Sequence, residues 1–93
     1  MSGSDSSDVG LAHRLWEEGR ERRSQGDYSR AIACLTTALA LDKKNAQIWA
    51  DMARVWLELN SMEDAWYAVT TALMHDPENE DAKRVFGRVQ GRM

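Results

Sequence analysis

The 93-residue sequence carries one cysteine, Cys34, so no internal disulfide can form, which fits a reducing compartment. One proline and six glycines leave little to punctuate the chain, and that favours long helices over short strands and turns. The two histidines, His13 and His75, share no metal-ligand spacing with each other or with Cys34. No glycine-rich phosphate loop or nucleophile motif is present. The sequence therefore reads as non-enzymatic, with no cofactor and no metal. No apolar run approaches the ~20 residues of a membrane span, and the opening "MSGSDSSDVG" lacks the charged start and apolar core of a signal peptide. The expected address is the cytoplasm, with the nucleus as an alternative, and no membrane partner is expected. A net charge of −3 argues against nucleic acid as the main partner, because phosphate binding needs a basic surface.

What is present is a repeat. "TTAL" occurs at Thr36–Leu39 and again, 34 residues later, at Thr70–Leu73. With residues 12–45 laid gaplessly over 46–79, nine of 34 positions are identical. They are Ala12/Ala46, Arg20/Arg54, Ala31/Ala65, Thr36/Thr70, Thr37/Thr71, Ala38/Ala72, Leu39/Leu73, Asp42/Asp76 and Asn45/Asn79. Character is kept at Gly19/Ala53, Leu35/Val69 and Leu15/Trp49. A third copy begins at Glu80, placing Gly87 opposite Ala53 and Arg88 opposite Arg54.

Each unit reads as two helices. The first runs from Leu11 to Ser24. The turn "QGD" (25–27) follows, with Asp27 placed to cap a second helix whose Tyr28, Ala31, Ile32, Leu35, Ala38 and Leu39 keep i, i+3, i+4, i+7 spacing. "DKKN" (42–45) ends it. A third helix carries Ile48, Trp49, Met52, Ala53, Trp56 and Leu59. Ser61 with Asp64 resembles a capping box for a fourth, marked by Met62, Ala65, Trp66, Val69, Ala72 and Leu73. "HDPEN" (75–79) breaks the chain at Pro77, and a last helix spans Glu80 to Gln90 with Ala82, Val85, Phe86 and Val89 as its stripe. Small residues at Ala31, Ala38, Ala65 and Ala72, and at Gly19, Ala53 and Gly87, let helix backbones approach closely. A helix pair cannot bury its apolar face alone, so successive pairs must stack. The expected organisation is a disordered polar tail over 1–10, repeats over 11–45 and 46–79, and a capping helix over 80–93.

This pattern resembles the tetratricopeptide repeat family, whose signature reads roughly W-x2-L-G-x2-Y, A-x3-F, A, P. The second repeat matches it with Trp49, Met52, Ala53, Trp56, Ala65, Val69, Ala72 and Pro77. The first matches with Leu15, Gly19, Ala31, Leu35, Ala38 and the turn "GDY" (26–28). Glu18 and Arg22 stand where the family is usually apolar, and Lys43 replaces the usual proline. The resemblance implies an all-α, right-handed superhelical stack of about five helices. It also implies a scaffold or adaptor role, holding a peptide or helix in a concave groove lined by first helices. In the subclass that grips Hsp70 and Hsp90 tails, a carboxylate clamp uses Lys and Asn in the first helix, Asn in the third, and Lys and Arg in the fifth. Those positions hold Trp16, Arg20, Asp51, Asp81 and Val85, so no chaperone tail is expected to bind in that way.

By the same resemblance Arg20, Arg54 and Arg88 share a groove-facing position, with Arg23 and Arg84 nearby. Guanidinium groups bind carboxylates or phosphates bidentately, which makes an acidic, even phosphorylated, segment one reading of this ladder. The other reading, which the sequence favours, is internal pairing with Glu17, Asp51, Glu58 and Asp81, a common and weak kind of surface contact. Trp16 is either a partner anchor or packs onto Ala50 of the next repeat, with nothing to choose between them. Trp49 and Trp56 lie on core spacing. The Trp66–Tyr67 pair either extends the core or forms an outer patch that a dimer would bury, so a homodimer, or self-association module of a larger protein, is the alternative function. Cys34 reads as a half-buried structural thiol.

Overall fold

The computed structural model describes the backbone of residues 3–92 and the side chains of residues 8–92. Five α-helices follow one another: α1 (Gly3–Ser24), α2 (Tyr28–Leu41), α3 (Ala46–Glu58), α4 (Met62–His75) and α5 (Glu80–Arg92). There is no strand among the described residues. The chain divides between Lys44 and Asn45 into two compact units, the first built from α1 and α2, the second from α3, α4 and α5.

In the first unit α1 and α2 pack along the stripe read from the sequence. Ala31, Leu35 and Ala38 are wholly buried. The small residue at Gly19 has a definite cause, since a Cβ there would lie 2.8 Å from Leu35 Cγ and 2.9 Å from its Cδ2. α1 begins at Gly3, eight residues before the expected Leu11. Of the tail expected over 1–10, residues 3–10 are thus helical, and residues 1 and 2 lie outside the described residues. No proline interrupts this stretch, and extending a formed helix adds one hydrogen bond per residue fixed. The sequence over 3–8, GSDSSD, holds no apolar side chain, and Val9 and the neighbouring Leu11 are exposed, so no apolar period marks the extension.

In the second unit α3 packs on both α4 and α5, which also pack on each other. Four consecutive residues of α3, Ala50, Asp51, Met52 and Ala53, are all buried. Ala65, Ala68, Val69 and Ala72 face inward from α4, and Ala82, Val85 and Val89 from α5. Burying each valine contributes about 1.5–3 kcal/mol. Trp49 and Trp56, expected in the core, are only half-buried, as suits rings too large to be enclosed in a small unit. Trp66 and Tyr67 part company. Trp66 lies 5.2 Å from Phe86 of α5, while Tyr67 is exposed and meets Trp49 edge-on at 5.9 Å.

The repeat explains the turns. Gly26 and Asn60, 34 positions apart, are the two residues with positive φ among the described residues, 80° and 65°. Each closes a Schellman motif: the amides of Asp27 and Ser61 donate to the carbonyls of Arg22 and Trp56 (2.9 and 2.8 Å). Asn45 and Asn79 cap the helices that follow them, and the amides of Asp42 and Asp76 both donate to the carbonyl four residues back, at 2.9 Å. Asp27 caps α2 as expected, accepting from the Arg30 amide. Ser61 does not form a capping box. Its hydroxyl donates to Asp64 Oδ2 at 2.7 Å, so it caps no backbone amide of α4. Gly87 differs from Gly19 too: a Cβ there would meet nothing within 4 Å, so no backbone approach requires it.

Candidate functional site

α5 starts beneath Asn79, whose Oδ1 accepts from the Ala82 amide at 2.8 Å. This cap sets the phase of the helix. Ala82, Val85 and Val89 turn inward, and Asp81, Arg84 and Arg88 run along one flank at i, i+3, i+7 spacing. Arg54 reaches the same flank from α3. Arg54, Asp81, Arg84, Val85 and Arg88 together line a cavity of about 80 Å³.

Asp81 is held from two sides. It accepts from Gln47 Nε2 at 2.9 Å and from Arg84 Nη1 at 3.2 Å. Gln47 is itself oriented, its Oε1 accepting from Asn79 Nδ2 at 3.1 Å, and its amide also reaches the buried Asp51 at 3.4 Å. The Arg84–Asp81 pair is well solvated, Arg84 being 72% exposed, so its net value is about 0–1 kcal/mol. Arg54 and Arg88 differ from Arg84. Among the described residues neither has an ion-pair or hydrogen-bond partner. Arg84 and Arg88 also stand at i, i+4, where like charges cost roughly 0.2–0.5 kcal/mol. Three guanidinium groups therefore converge on one cavity with one carboxylate among them.

The remaining candidates lie on α1 in the first unit. Arg20 Cζ sits 5.2 Å from the Trp16 ring centroid, a cation–π contact. The half-buried Trp16 ring also tilts against His13 at 5.3 Å, and His13 Nε2 is 3.4 Å from Glu17. Arg23 is half-buried in the last turn, where the helix dipole favours a cation. Glu18 and Arg22, unusual for this position, form an i, i+4 pair at 3.6 Å. They line an open, mixed-charge depression of about 450 Å³ with Arg14, Glu17, Glu21 and Gln25. Cys34 responds to both. Burial raises its thiol pKa, Glu18 raises it further by charge and hydrogen bond, and Arg22 opposes them, which makes it a poor nucleophile.

Sequence reading located Arg54, Arg84 and Arg88 but missed what frames them. Gln47 contacts residues 32 and 34 positions away, beyond any local pattern. The one available signal was Asn79, which repeats the cap Asn45. Internal pairing, expected for the arginines in general, is seen in this cavity for Arg84 alone. The described residues hold no group of His, Cys, Asp and Glu suited to a metal ion, and no helix long and apolar enough to cross a membrane.

Comparison with known proteins bears on the family and the fold. The family described as tetratricopeptide repeat matches residues 22–85. Small glutamine-rich tetratricopeptide repeat-containing protein beta of rat, mouse and human is 34% identical over 65 residues, covering 70% of this chain. The chain spans 21% of the length of these relatives. Among solved structures, the second tetratricopeptide domain of Spaghetti (RPAP3), bound to the HSP90 peptide SRMEEVD, superposes with a TM-score of 0.90 at 26% identity, covering 96% of this chain and 82% of that one. The Arabidopsis OM64 tetratricopeptide domain superposes with a TM-score of 0.88 at 22% identity over 91% of this chain and 70% of that one, a likeness of fold alone.

Proposed function

Because the chain belongs to the tetratricopeptide repeat family, we propose that it is a non-catalytic protein-interaction module whose α3–α5 cavity receives an acidic segment of a partner protein, as a peptide or a helix. The observation that carries this reading is the state of Arg54 and Arg88. They line the cavity beside Arg84, and no carboxylate among the described residues neutralises either of them. A guanidinium offers five N–H donors in a planar fork suited to a carboxylate. An acidic side chain arriving here gains charge-assisted hydrogen bonds without first breaking an internal ion pair.

This mode differs from a carboxylate clamp. The clamp positions hold Trp16, Arg20, Asp51, Asp81 and Val85; Asp51 is buried and hydrogen-bonded to Gln47, and Asp81 carries a negative charge into the cavity wall. The reading therefore uses acidic side chains rather than a chain terminus. The Spaghetti domain's ligand, SRMEEVD, is a convenient probe because it holds both. Titrated with a free and with an amidated C-terminus, it is expected to bind almost equally. A loss of about tenfold or more on amidation, the scale of one lost charged contact, would instead show a clamp and overturn the reading.

A second reading, self-association, rests on Tyr67 and Met74, seven residues apart on α4 and 65% and 79% exposed. Sedimentation at several concentrations tests it; a concentration-independent monomer removes it.

A further inference from the structure

The cavity on α3 and α5 is better matched to a phosphate than to a carboxylate. Its lining charges are three guanidinium groups and one carboxylate, a net of two positive charges, and Asp51 does not line it. A single carboxylate neutralises half of that excess and brings two oxygens, too few to give each of three guanidinium groups an oxygen of its own. A phosphomonoester carries about −1.5 to −2 charges near neutral pH and three strongly accepting oxygens. It can therefore take a fork from Arg54 and another from Arg88 at once, with Arg84 as the third side. Among the described residues Asp81 accepts from Gln47 and Arg84 and from neither Arg54 nor Arg88.

The rest of the site fits an anion that comes and goes. The Gln47–Asn79 contact and the Asn79 cap fix Asp81 and the start of α5, so the cavity wall is in place before a ligand arrives. Arg88 is exposed and Arg54 half-buried, so both guanidinium groups can be reached. At about 80 Å³ the cavity suits one compact anionic group rather than a ring system.

We infer that Arg54, Arg84 and Arg88 form a receptor for a phosphorylated side chain of the partner protein. This rests on the acidic-segment reading and narrows it to a phosphomonoester on a peptide.

The test is a titration of the intact chain with four probes: a capped Gly-Gly-phosphoserine-Gly-Gly peptide, its unphosphorylated form, the same peptide with Glu at the centre, and inorganic phosphate. The readout is the side-chain Nε–Hε NMR signals of Arg54, Arg84 and Arg88. The phosphopeptide is expected to shift all three and to bind about tenfold more tightly than the Glu peptide, the scale of one added charge-assisted contact. Arg88→Gln, at an exposed site, should cost about tenfold for the phosphopeptide while the helical spectrum is unchanged. Arg54→Lys should also weaken it, because an ammonium keeps the charge but loses the fork. Equal affinity for the Glu and phosphoserine peptides would overturn the phosphate assignment and leave the acidic-segment reading standing. Inorganic phosphate binding as tightly as the phosphopeptide would remove the peptide as the source. If none of the probes moves the three arginine signals, both readings fall.

Discussion

Gly19→Ala reverses the usual effect of that substitution. In an ordinary helix interior, replacing glycine by alanine stabilises by about 0.8–1.0 kcal/mol. At Gly19 the new methyl would stand 2.8 and 2.9 Å from Leu35 Cγ and Cδ2, closer than carbon atoms pack. Leu35 cannot swing aside, because it is wholly buried between α1 and α2. Overpacking of this kind costs about 1–3 kcal/mol. Subtracting the propensity gain leaves a destabilisation of roughly 1 kcal/mol, or a fall in Tm of about 4–8 °C for a domain of this size. Thermal and urea unfolding followed by far-ultraviolet circular dichroism would measure it. Gly87→Ala is the internal control, since nothing lies within 4 Å of its Cβ and the site is exposed. That variant should gain up to about 1 kcal/mol. In a Leu35→Ala background, itself costing about 2–5 kcal/mol, the clash disappears and Gly19→Ala should become stabilising. A rise in Tm for Gly19→Ala in the unmodified chain would refute the close-approach reasoning.

Further outcomes follow from the caps, the thiol and the cavity wall. Asn45→Ala removes the acceptor for the amides of Gln47 and Ile48 (3.0 and 3.2 Å) and should cost about 1 kcal/mol in urea unfolding. Ser61→Ala should cost less, because Ser61 caps no amide. Cys34 has a raised pKa, so the unfolded chain ionises its thiol first, and stability falls as pH climbs from the ordinary thiol range to the folded value. Glu18→Gln should move the alkaline midpoint of thiol modification down, and Arg22→Gln should move it up, since one residue raises the pKa and the other lowers it. Shifts of the same sign would contradict the placement of Cys34. Asp81→Asn removes the one carboxylate in the cavity wall and should tighten acidic peptides severalfold, read by titration calorimetry; weaker binding would mean that Asp81 orients Arg84 rather than opposing the ligand.

The helices were legible because their burial is periodic and local. Ala31 and Ala38 stand seven apart in α2, as Ala65 and Ala72 do in α4, and all four are wholly enclosed. The caps were legible where one side chain does one job, as at Asp27. Reading failed where a group has a choice. Ser61 can accept from an amide or donate to a carboxylate, and it donates. It failed again where no apolar stripe exists, over residues 3–10 of α1. The candidate site was legible in part: Arg54 and Arg88 were visible as a repeated position and Arg84 as their neighbour, but Gln47 and Asn79 contact residues more than 30 positions away.

Set side by side, the two units show how a repeated position acquires different uses. Arg20, Arg54 and Arg88 are equivalent, 34 residues apart, and so are the residues four places before them: Trp16, Ala50 and Arg84. Four residues is one helical turn, so each pair shares a face. On α1 the preceding residue is an indole, and Arg20 lies over its ring at 5.2 Å, a contact that satisfies the cation within the helix. On α3 it is a wholly buried alanine, which offers Arg54 no partner. On α5 it is a second arginine, which donates to Asp81 rather than offering Arg88 a partner. The repeat thus determines where a guanidinium stands, and the non-repeating residue one turn earlier determines whether it is occupied or open. Arg20→Ala should accordingly cost packing on Trp16 and leave peptide affinity unchanged, whereas Arg88→Ala should leave stability unchanged and weaken acidic peptides about tenfold. If the two variants exchanged these effects, the α3–α5 cavity would lose its claim to be the binding site.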